Sequence, residues 1–280
     1  MKMSTSTFYY KSKRPREERE EEDADLRDKI EFVQAEYRCW GYRTVQVHLQ
    51  RHYNLQVNHK RIRRVMQKYS LLRRIKRRFL NTTDSNHNHK VYPNLLRGRI
   101  IDGLNQVWVA DITYIRIRTG FVFLAVVLDV FSRRVIGWAI SKNIDHELSV
   151  AALKMAIDTR RPALGIIHHS DRGVQYACAD YIAVLKSFGF EISMSRTGNP
   201  YDNAFAESFM KTLKNEEVNL EEYVDIIDVL NSIPEFIEKV YNKKRVHSGI
   251  NYLPPEEFES ILRNENRKQE LGQITLKFAD

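Results

Sequence analysis

The stretch Val107-Trp-Val-Ala-Asp-Ile-Thr-Tyr-Ile-Arg-Ile117 decides the fold, because its pattern is typical of a strand with two different faces. Successive side chains of a strand point to opposite faces, so Asp111 shares a face with Val109 and Thr113, opposite Trp108. A carboxylate on a buried face is costly unless it is paired or bound to a cation. Asp111 is therefore either a functional group or a residue that faces solvent.

Further apolar runs extend this strand into a sheet. Phe121–Val130 and Val135–Ser141 predict an antiparallel three-stranded meander with the first strand, and Gly120 lies in its first turn. The elements expected to follow are a helix over His146–Arg160, a buried strand over Leu164–Ser170, a helix over Ala177–Phe188, a strand over Phe190–Ser195 and a helix around Glu207. The order β-β-β-α-β-α-β-α predicts an α/β (α+β) core with a mixed five-stranded sheet.

Two more carboxylates stand at the ends of predicted elements. Asp171 ends the run that begins at Leu164, and Glu207 is expected two turns inside a helix that opens after Gly198-Asn-Pro-Tyr-Asp-Asn203. Carboxylates from two strands and one helix can converge on hard divalent cations, which prefer oxygen ligands. Two such ions, about 3.5–4 Å apart, activate an attacking oxygen and stabilise a leaving oxygen in phosphodiester chemistry.

The helix around Glu207 has two distinct faces. At 100° per residue, Phe209 and Leu213 fall on one side, whereas Glu207, Lys211 and Lys214 fall on the other. This helix is expected to bury its aromatic side while it presents one carboxylate and two ammonium groups to a cleft. The alternative is a surface ion pair between Glu207 and Lys211, which contributes only a few tenths of a kcal/mol.

Other polar residues near these positions have simpler interpretations. Asp171 precedes Arg172-Gly173, so it could be only a turn residue. Asp129 and Asp202 are rival carboxylates, and both fit turn or cap positions better than a metal site. His168 and His169 could orient substrate or water, or be structural.

Bulk composition excludes several protein classes. The chain has 280 residues and 42% hydrophobic content, which suits a protein of two folded domains. No apolar run approaches the roughly 20 residues of a membrane-spanning helix, and no signal-peptide core is visible. Only Cys39 and Cys178 are present, without CxxC spacing, so a disulfide framework is not expected. We expect a cytoplasmic protein without a membrane partner.

Positive charge is concentrated in the first part of the chain. Residues 1–104 contain 24 Lys+Arg and 12 Asp+Glu, whereas residues 105–280 contain 21 and 24. Ten basic residues and no acidic ones lie between Lys60 and Arg78. Such runs favour a nucleic-acid partner, since Lys and Arg neutralise phosphates. A solvated basic face without a partner is the alternative.

The basic region overlaps a predicted module of three helices, over residues 25–38, 44–53 and 59–69, the last capped by Asn58. A basic final helix suits a helix-turn-helix DNA-binding module, and a plain helical bundle is the alternative. The predicted division is a flexible segment 1–22, a helical domain 23–78, a linker 79–104, a catalytic core 105–260 and a tail 261–280. The candidate DNA-binding residues are Lys60, Arg61, Arg63, Arg64, Lys68, Arg73 and Arg74 in this module, and Lys211 and Lys214 beside Glu207.

Four residues of the helical region are candidate zinc ligands. Cys39, His48, His52 and His59 would supply four ligands, and His48 and His52 have helical i,i+4 spacing. Paired cysteines, which are typical of structural zinc sites, are absent from the sequence. We therefore do not expect zinc.

Residues 25–260 resemble one family of proteins through many short motifs in a fixed order. The motifs are Trp108-Val-Ala-Asp-Ile-Thr-Tyr114, Leu128-Asp-Val-Phe-Ser-Arg133, Val135-Ile-Gly-Trp138, His169-Ser-Asp-Arg-Gly173, Gly198-Asn-Pro-Tyr-Asp-Asn-Ala-Phe-Ala-Glu-Ser-Phe209, Tyr241-Asn-Lys-Lys-Arg-Val-His247 and Pro254-Pro-Glu-Glu-Phe258. Together they resemble the downstream-frame transposases of the insertion-sequence-three family, whose catalytic core is similar to that of retroviral integrases.

The resemblance implies an RNase H-like core with a DDE triad formed by Asp111, Asp171 and Glu207. It implies two Mg²⁺ ions, with Mn²⁺ as a substitute, held by the same three residues. It also implies DNA cleavage to a free 3′-hydroxyl, strand transfer at element ends, action on transposon ends and target DNA, and a homodimer or higher oligomer. The expected setting is the bacterial cytoplasm, at the nucleoid.

The chain departs from the family in one respect, because complete transposases of this kind carry an upstream segment with a leucine zipper. No heptad zipper occurs here, which raises an upstream-frame protein as a partner. Two alternative functions remain open: a non-catalytic DNA-binding regulator of transposition, and an RNase H-like nuclease. An intact triad favours a transposase over the regulator, and strand joining by a donor 3′-hydroxyl would distinguish it from the nuclease.

Overall fold

The computed structural model describes residues 15–72, 90–195 and 203–264, which belong to two compact units, Met1–Lys76 and Arg77–Asp280. The first unit contains three helices: α1 (Arg16–Glu36), α2 (Tyr42–Tyr53) and α3 (His59–Lys68). None of the helices in the described ranges is both long and apolar enough to cross a membrane.

Helix α1 begins earlier than predicted, at Arg16 instead of Asp25. Residues 16–22 are therefore helical, and their assignment to a flexible segment was wrong. Glu17 and Glu18 occupy the first turn, where the partial positive charge of a helix N-terminus favours acidic side chains. Apolar periodicity did not reveal this turn because its side chains are charged.

The predicted cap of α3 is confirmed. The side chain of Asn58 accepts a hydrogen bond from the backbone N–H of Lys60 at 2.8 Å. Ile62, Val65 and Met66 are buried, and they form the core of the first unit together with residues of the other two helices, among them Ile30, Val33, Val45 and Leu49. A small helical domain is thereby closed around one apolar centre.

The second unit is built on a five-stranded mixed sheet, as predicted. Its strands are β1 (Val107–Ile117), β2 (Gly120–Asp129), β3 (Val135–Ser141), β4 (Ile167–Ser170) and β5 (Glu191–Met194). The spatial order is β3-β2-β1-β4-β5; the first three strands are antiparallel, whereas β4 runs parallel to both β1 and β5. This is the RNase H-like arrangement.

The two faces of the sheet are covered by different helices. Helices α4 (His146–Arg160), α5 (Val174–Ala177) and α6 (Ala179–Ser187) pack with the Trp108 side of β1. Helices α7 (Ala204–Leu213) and α8 (Ile226–Glu235) pack with the Val107 and Val109 side. Asp111 belongs to the second side by strand alternation, so it faces the layer that contains α7.

Two predicted boundaries in this unit were wrong. β4 begins at Ile167 instead of Leu164, which is 82% exposed, because a turn with Gly165 at φ 84° separates it from the strand. The helix predicted over residues 177–188 is α6, which begins at Ala179. The short helix α5 precedes it and was not predicted, and the backbone between the two is extended at Cys178.

Gly137 lets α4 lie close to β3. A Cβ atom at this position would stand 2.3 Å from the carbonyl oxygen of Ala152 and 2.6 Å from the backbone nitrogen of Ala156. Such distances are impossible between non-bonded atoms, so only glycine permits this approach. The Val135-Ile-Gly-Trp138 motif thus has a packing explanation.

The remaining elements follow α7 along the chain. They are a π-helical turn over Lys214–Val218, helix α8, a second π-helical segment over Phe236–Tyr241, a 3₁₀ turn over Ser248–Ile250 and helix α9 over residues 255–264. Residues 261–264 therefore end a helix and do not belong to the predicted tail, whose remainder lies outside the described residues.

Candidate active site

The register of two parallel strands places Asp111 beside Asp171. Val109 of β1 pairs with His169 of β4, and each aspartate follows two residues later. Ligands of open α/β sheets commonly bind where neighbouring parallel strands end. The sheet thus brings together two carboxylates that are far apart in sequence.

Asp171 is held in a turn at the end of β4. Its Oδ1 accepts a hydrogen bond from the N–H of Gly173 at 2.9 Å. The Nε of Arg172 donates to the carbonyl of Ser195, beyond β5, at 2.7 Å. The turn interpretation of Asp171 is confirmed, and it does not exclude a functional role, because the same turn fixes the carboxylate beside Asp111.

Glu207 lies in the first turn of α7, so its expected position two turns inside the helix was wrong. The helix is oriented by its buried residues, which include Phe209 and Leu213 as predicted. Asn203 precedes the helix, and its Nδ2 donates to the carbonyl of Ala110 at 3.3 Å. This bond ties the start of the Glu207 helix to the residue beside Asp111.

The three carboxylates influence one another electrostatically. The pKa of Asp111 is raised to about 8, chiefly by burial and then by the charges of Asp171 and Glu207. The backbone N–H of Ile112, at 2.9 Å, and the charge of Lys214 act in the opposite direction. Burial also raises the pKa of Glu207. Strongly shifted pKa values are common at functional sites, so the pKa of Asp111 makes this residue a candidate for function.

Lys214 lies beside this group, whereas Lys211 is exposed. The Nζ of Lys214 is 4.3 Å from the centroid of the Tyr114 ring, and burial lowers its pKa although the charge of Asp111 acts against this effect. Glu207 and Lys211 do not form the i,i+4 ion pair that was considered as an alternative; the salt bridges between described residues do not include them.

The carboxylates are near one another but are not arranged as a finished metal cage. Among residues 15–72, 90–195 and 203–264, no three side chains of His, Cys, Asp or Glu are grouped closely enough to hold one ion. Glu207 is the exposed member of the three, and its effect on the pKa of Asp111 is smaller than that of Asp171.

His168 and His169 are structural, which decides between their two interpretations. His169 is fully buried between the hydroxyls of Ser193 and Ser195, at 2.8 and 3.0 Å from its two ring nitrogens. The Nε2 of His168 is 2.9 Å from the hydroxyl of Tyr181. Burial lowers the pKa of His168 to about 3, so it stays neutral at physiological pH.

Asp129 is a turn residue, as predicted. It is fully buried, and its carboxylate accepts hydrogen bonds from the N–H groups of Asn105, Phe131 and Ser132 at 2.7, 2.9 and 3.0 Å. These bonds occupy both of its oxygens. Asp202, the other rival carboxylate, lies outside the described residues.

Tyr176 is a neighbour of the carboxylates that the sequence analysis missed. Its hydroxyl is buried and has no hydrogen-bond partner among the described residues. Burial raises its pKa, and the charges of Tyr181, Asp111 and Asp171 add to the effect. Its position five residues after Asp171 was the available signal, because one helical turn returns a side chain toward the strand end.

The basic residues of α3 fall into two groups. Lys60, Arg63 and Lys68 are exposed, whereas Arg61 and Arg64 form ion pairs with Asp23 of α1 at 3.1 and 2.8 Å. Arg61 also pairs with Glu22 at 2.9 Å. The last two predicted DNA contacts, Arg73 and Arg74, lie outside the described residues.

The residues considered for zinc have other neighbours. The rings of His48 and His52 are 4.3 Å apart, and His48 also contacts Trp40. His59 stacks on Tyr42, with 6.1 Å between ring centroids. Cys39 is not in a disulfide.

Comparison with known proteins identifies the family. The sequence matches the integrase core domain over residues 102–200 and again over residues 188–255, and an HTH-like domain over residues 20–79. It is 37% identical, over 91% of this chain and 94% of the relative, to the uncharacterized 31 kDa protein of insertion element IS600 from Shigella sonnei. It is 38% identical to transposase InsF of insertion sequence IS3A from Escherichia coli K12, over 72% of this chain and 71% of InsF.

The chain belongs to the integrase-core transposase family of insertion sequences. This transposase is accordingly an enzyme of the polynucleotidyl-transferase type, and an RNase H-like core and an HTH-like domain make up its two units. Among solved structures, the catalytic core domain of HTLV-2 integrase in complex with magnesium is similar at 16% identity and a TM-score of 0.43, over 55% of this chain and 95% of that one.

Proposed function

We propose that this transposase catalyses two successive phosphodiester reactions at the ends of its insertion sequence. In the first, a water oxygen bonds to phosphorus while the bond to the 3′ oxygen breaks, and that oxygen leaves as a 3′-hydroxyl. In the second, this hydroxyl oxygen bonds to a phosphorus of target DNA, and the target's own 3′ oxygen leaves with the proton. Neither step needs a covalent link to the protein. The strand register that sets Asp111 beside Asp171, with the helix of Glu207 packed on the same side of the sheet, carries this proposal.

Asp111, Asp171 and Glu207 are the proposed ligands of two Mg²⁺ ions, with Mn²⁺ as a substitute. Their oxygen donors fit hard cations, and the raised pKa of Asp111 reflects a buried negative charge that lacks sufficient compensation. Ions bound there would lower the pKa of the attacking oxygen and stabilise the leaving oxygen. Asp111 and Asp171, fixed by the sheet, form the rigid part of this donor set, and Glu207 completes it from α7.

DNA is the proposed partner of both units. Lys211 lies on the same helix as Glu207 and Lys214 begins the π-helical turn that follows it, and both are suited to hold phosphates near the reacting one. Lys60, Arg63 and Lys68 of α3 present exposed positive charge in the HTH-like domain. The proposed division of labour is DNA recognition by residues 23–78 and catalysis by residues 105–260. Assembly as a dimer or larger oligomer on DNA, and an upstream-frame partner, are parts of the same proposal.

The test is strand transfer with a labelled element-end duplex and Mg²⁺. Asp111→Asn, Asp171→Asn and Glu207→Gln each keep the side-chain shape and remove a ligand charge. We expect each to lower the rate on the order of 10³-fold, which corresponds to a loss of about 4 kcal/mol of transition-state stabilisation. Glu235→Gln, which changes an exposed carboxylate paired with Lys239, is the control.

The outcomes separate the functions considered. Full activity in one of the three variants would remove that residue from the catalytic role. Nicked products without joined strands from the wild type would favour the nuclease, and DNA binding without either product would favour the regulator. Inactivity in Glu235→Gln would mean that the assay reports folding instead of catalysis.

A further inference from the structure

Arg133 lies in the turn between β2 and β3, in a left-handed conformation that is uncommon for residues with a side chain (φ 65°). The buried Asp129 fixes this turn. Its carboxylate accepts the N–H groups of Phe131 and Ser132, and its carbonyl accepts the N–H of Arg133 at 2.9 Å. Strained backbone of this kind persists where the surroundings over-determine it, often at ligand sites. The turn therefore presents the Arg133 side chain in one fixed place.

The guanidinium of Arg133 is partly buried without a carboxylate partner. Its Cζ is 4.0 Å from the centroid of the Phe205 ring, and a Cβ atom added to Gly249 would stand 3.5 Å from its Nη2. The group thus lies between an aromatic ring of α7 and the backbone of the 3₁₀ turn. In the ranges that the structure describes, no Asp or Glu forms an ion pair with it, and a charge buried without a partner is costly.

Neighbouring arginines of the same unit are compensated. Arg134 donates to Glu259 at 3.0 Å, and Arg245 makes a bidentate contact with Glu216 at 2.9 and 3.0 Å. Arg133 therefore differs from its sequence neighbour Arg134, which has a carboxylate partner, and the sequence Ser132-Arg133-Arg134 does not reveal this difference. Arg134 stabilises the fold through its ion pair, whereas the N–H donors of Arg133 have no carboxylate to bind among the described residues.

A second unused donor lies on the segment that Arg133 contacts. Burial lowers the pKa of His247 to about 3, and the charges of Arg245 and Arg133 add to the effect, so the ring is neutral. Its Nδ1 is 3.4 Å from Nη1 of Arg245, which can only donate, so the proton resides on Nε2. This Nε2 is buried without a hydrogen-bond partner among the described residues. An unmatched donor thus lies near the guanidinium of Arg133, and the half-buried guanidinium is the group that an anion can reach.

We infer that Arg133 binds a backbone phosphate of the DNA, distinct from the phosphate that reacts at the three carboxylates. Phe205, which lies against the guanidinium, and Glu207 are two residues apart in α7, so their side chains point about 200° apart and Arg133 lies on the other side of the helix from Glu207. Arg133 does not act on the three catalytic carboxylates, whereas Lys214 acts on Asp111. A planar guanidinium suits bidentate contact with phosphate oxygens. The inference rests on the proposed function, because that function supplies DNA as the ligand.

The test measures binding of the full chain to a labelled element-end duplex in EDTA, over a series of salt concentrations. Arg133→Met keeps an unbranched side chain against Phe205 and removes the charge, and Arg133→Lys keeps the charge. Lys186→Met, on the exposed side of α6, is the matched control because it removes one positive charge from the other face of the sheet. We expect Arg133→Met to weaken binding about tenfold and to reduce the salt slope by about one. Arg133→Lys is expected to retain most of the affinity, and Lys186→Met all of it.

Neutral methylphosphonates placed one at a time along the duplex provide the second measurement. One position should weaken binding of the wild type and leave Arg133→Met unaffected, because the same contact is lost in both. Equal methylphosphonate profiles for the wild type and Arg133→Met would overturn the inference. It would also be overturned if Arg133→Met lost thermal stability but bound DNA as tightly as Lys186→Met. Binding in EDTA does not depend on strand transfer, so a failure of the proposed chemistry with this profile intact would leave the phosphate contact standing.

Discussion

Two carboxylates of the same unit, the buried Glu259 and the half-buried Asp111, have opposite surroundings. Burial opposes the ionisation of Glu259, yet hydrogen bonds and charge from Arg160, and charge from Arg134, outweigh it and lower its pKa. Burial opposes the ionisation of Asp111 as well, and its neighbours are two further carboxylates, so its pKa rises to about 8. Glu259 therefore stabilises the fold as a charged group, whereas the fold provides too little positive charge to favour the ionised form of Asp111.

The Glu259 region is an internal clamp. Glu259 of α9 is 1% exposed and contacts Arg134 before β3, Arg160 at the end of α4 and Arg263 on its own helix. The side chain of Arg160 is itself only 5% exposed. The carboxylate of Glu259 is thus surrounded by guanidinium groups that favour its ionised form. The Asp111 region lacks any comparable arginine among the described residues.

The largest effect on stability is expected from Glu259→Gln. This change leaves the guanidinium of Arg160 buried without a counter-charge, and breaking a buried ion pair costs about 3–5 kcal/mol. Urea unfolding at neutral pH measures it. Glu235→Gln is the control, because its partner Lys239 is exposed and such pairs contribute about 0–1 kcal/mol. If both variants lost a similar free energy of unfolding, the buried ion pairs of Glu259 would be no more stabilising than the exposed pair of Glu235.

A pH titration of the metal-free protein tests the other carboxylate. The folded pKa of Asp111 lies above its ordinary value of 3.8, so the folded state holds the proton more tightly than the unfolded state. Stability is then greatest below about pH 4 for this group and falls as pH rises toward 8, by up to about 1.4 kcal/mol per pH unit. Asp111→Asn should remove that decline. If the free energy of unfolding changed with pH in the same way in the wild type and in Asp111→Asn, the raised pKa of Asp111 would be contradicted.

Magnesium should stabilise the wild type through the same group. A ligand that binds only the folded state adds about 2.7 kcal/mol when its free concentration is one hundred times its Kd. We expect Mg²⁺ to raise the melting temperature of the wild type and of Glu235→Gln, but not of Asp111→Asn. An equal rise in Asp111→Asn would place the ion elsewhere.

The smallest effect is expected from Asn203→Ala, which removes the bond from Asn203 to the carbonyl of Ala110. The lost hydrogen bond should cost about 1 kcal/mol of stability. Strand transfer should fall while DNA binding is kept, because the bond positions the start of α7 relative to β1. Thr212→Val, which removes an exposed bond to Ser208 on the same helix, is the control. Unchanged strand transfer would remove Asn203 from this positioning role.

Much of the catalytic fold could be predicted because local patterns and tertiary structure agree. β1 and β3 have the predicted bounds, since apolar side chains occupy both faces and turns interrupt the runs. α4 also has its predicted limits, with Asp145 as the cap of its first turn. The errors occur where the local pattern is ambiguous, as at Leu164, which is apolar but exposed.

The clamp and the surroundings of Arg133 could not be predicted, because the contacting residues are far apart in sequence. Glu259 meets Arg134 across 125 residues and Arg160 across 99. Arg133 and Arg134 are adjacent and chemically identical, and only the tertiary structure gives one of them a carboxylate. The three carboxylates could be named in advance, but the pKa of Asp111 depends on desolvation, which no residue pattern reports.

The ion pairs between α1 and α3 bear on how binding to DNA responds to salt. Asp23 is 2% exposed and engages both Arg61 and Arg64. The number of cations displaced from a duplex reflects the phosphates that a protein neutralises, not the arginines that it contains. While Asp23 pairs with these two side chains, we expect the helical unit to displace fewer cations from a duplex than its count of basic residues suggests. Asp23 is thus expected to weaken non-specific attraction to DNA, although it is itself an acidic and buried residue.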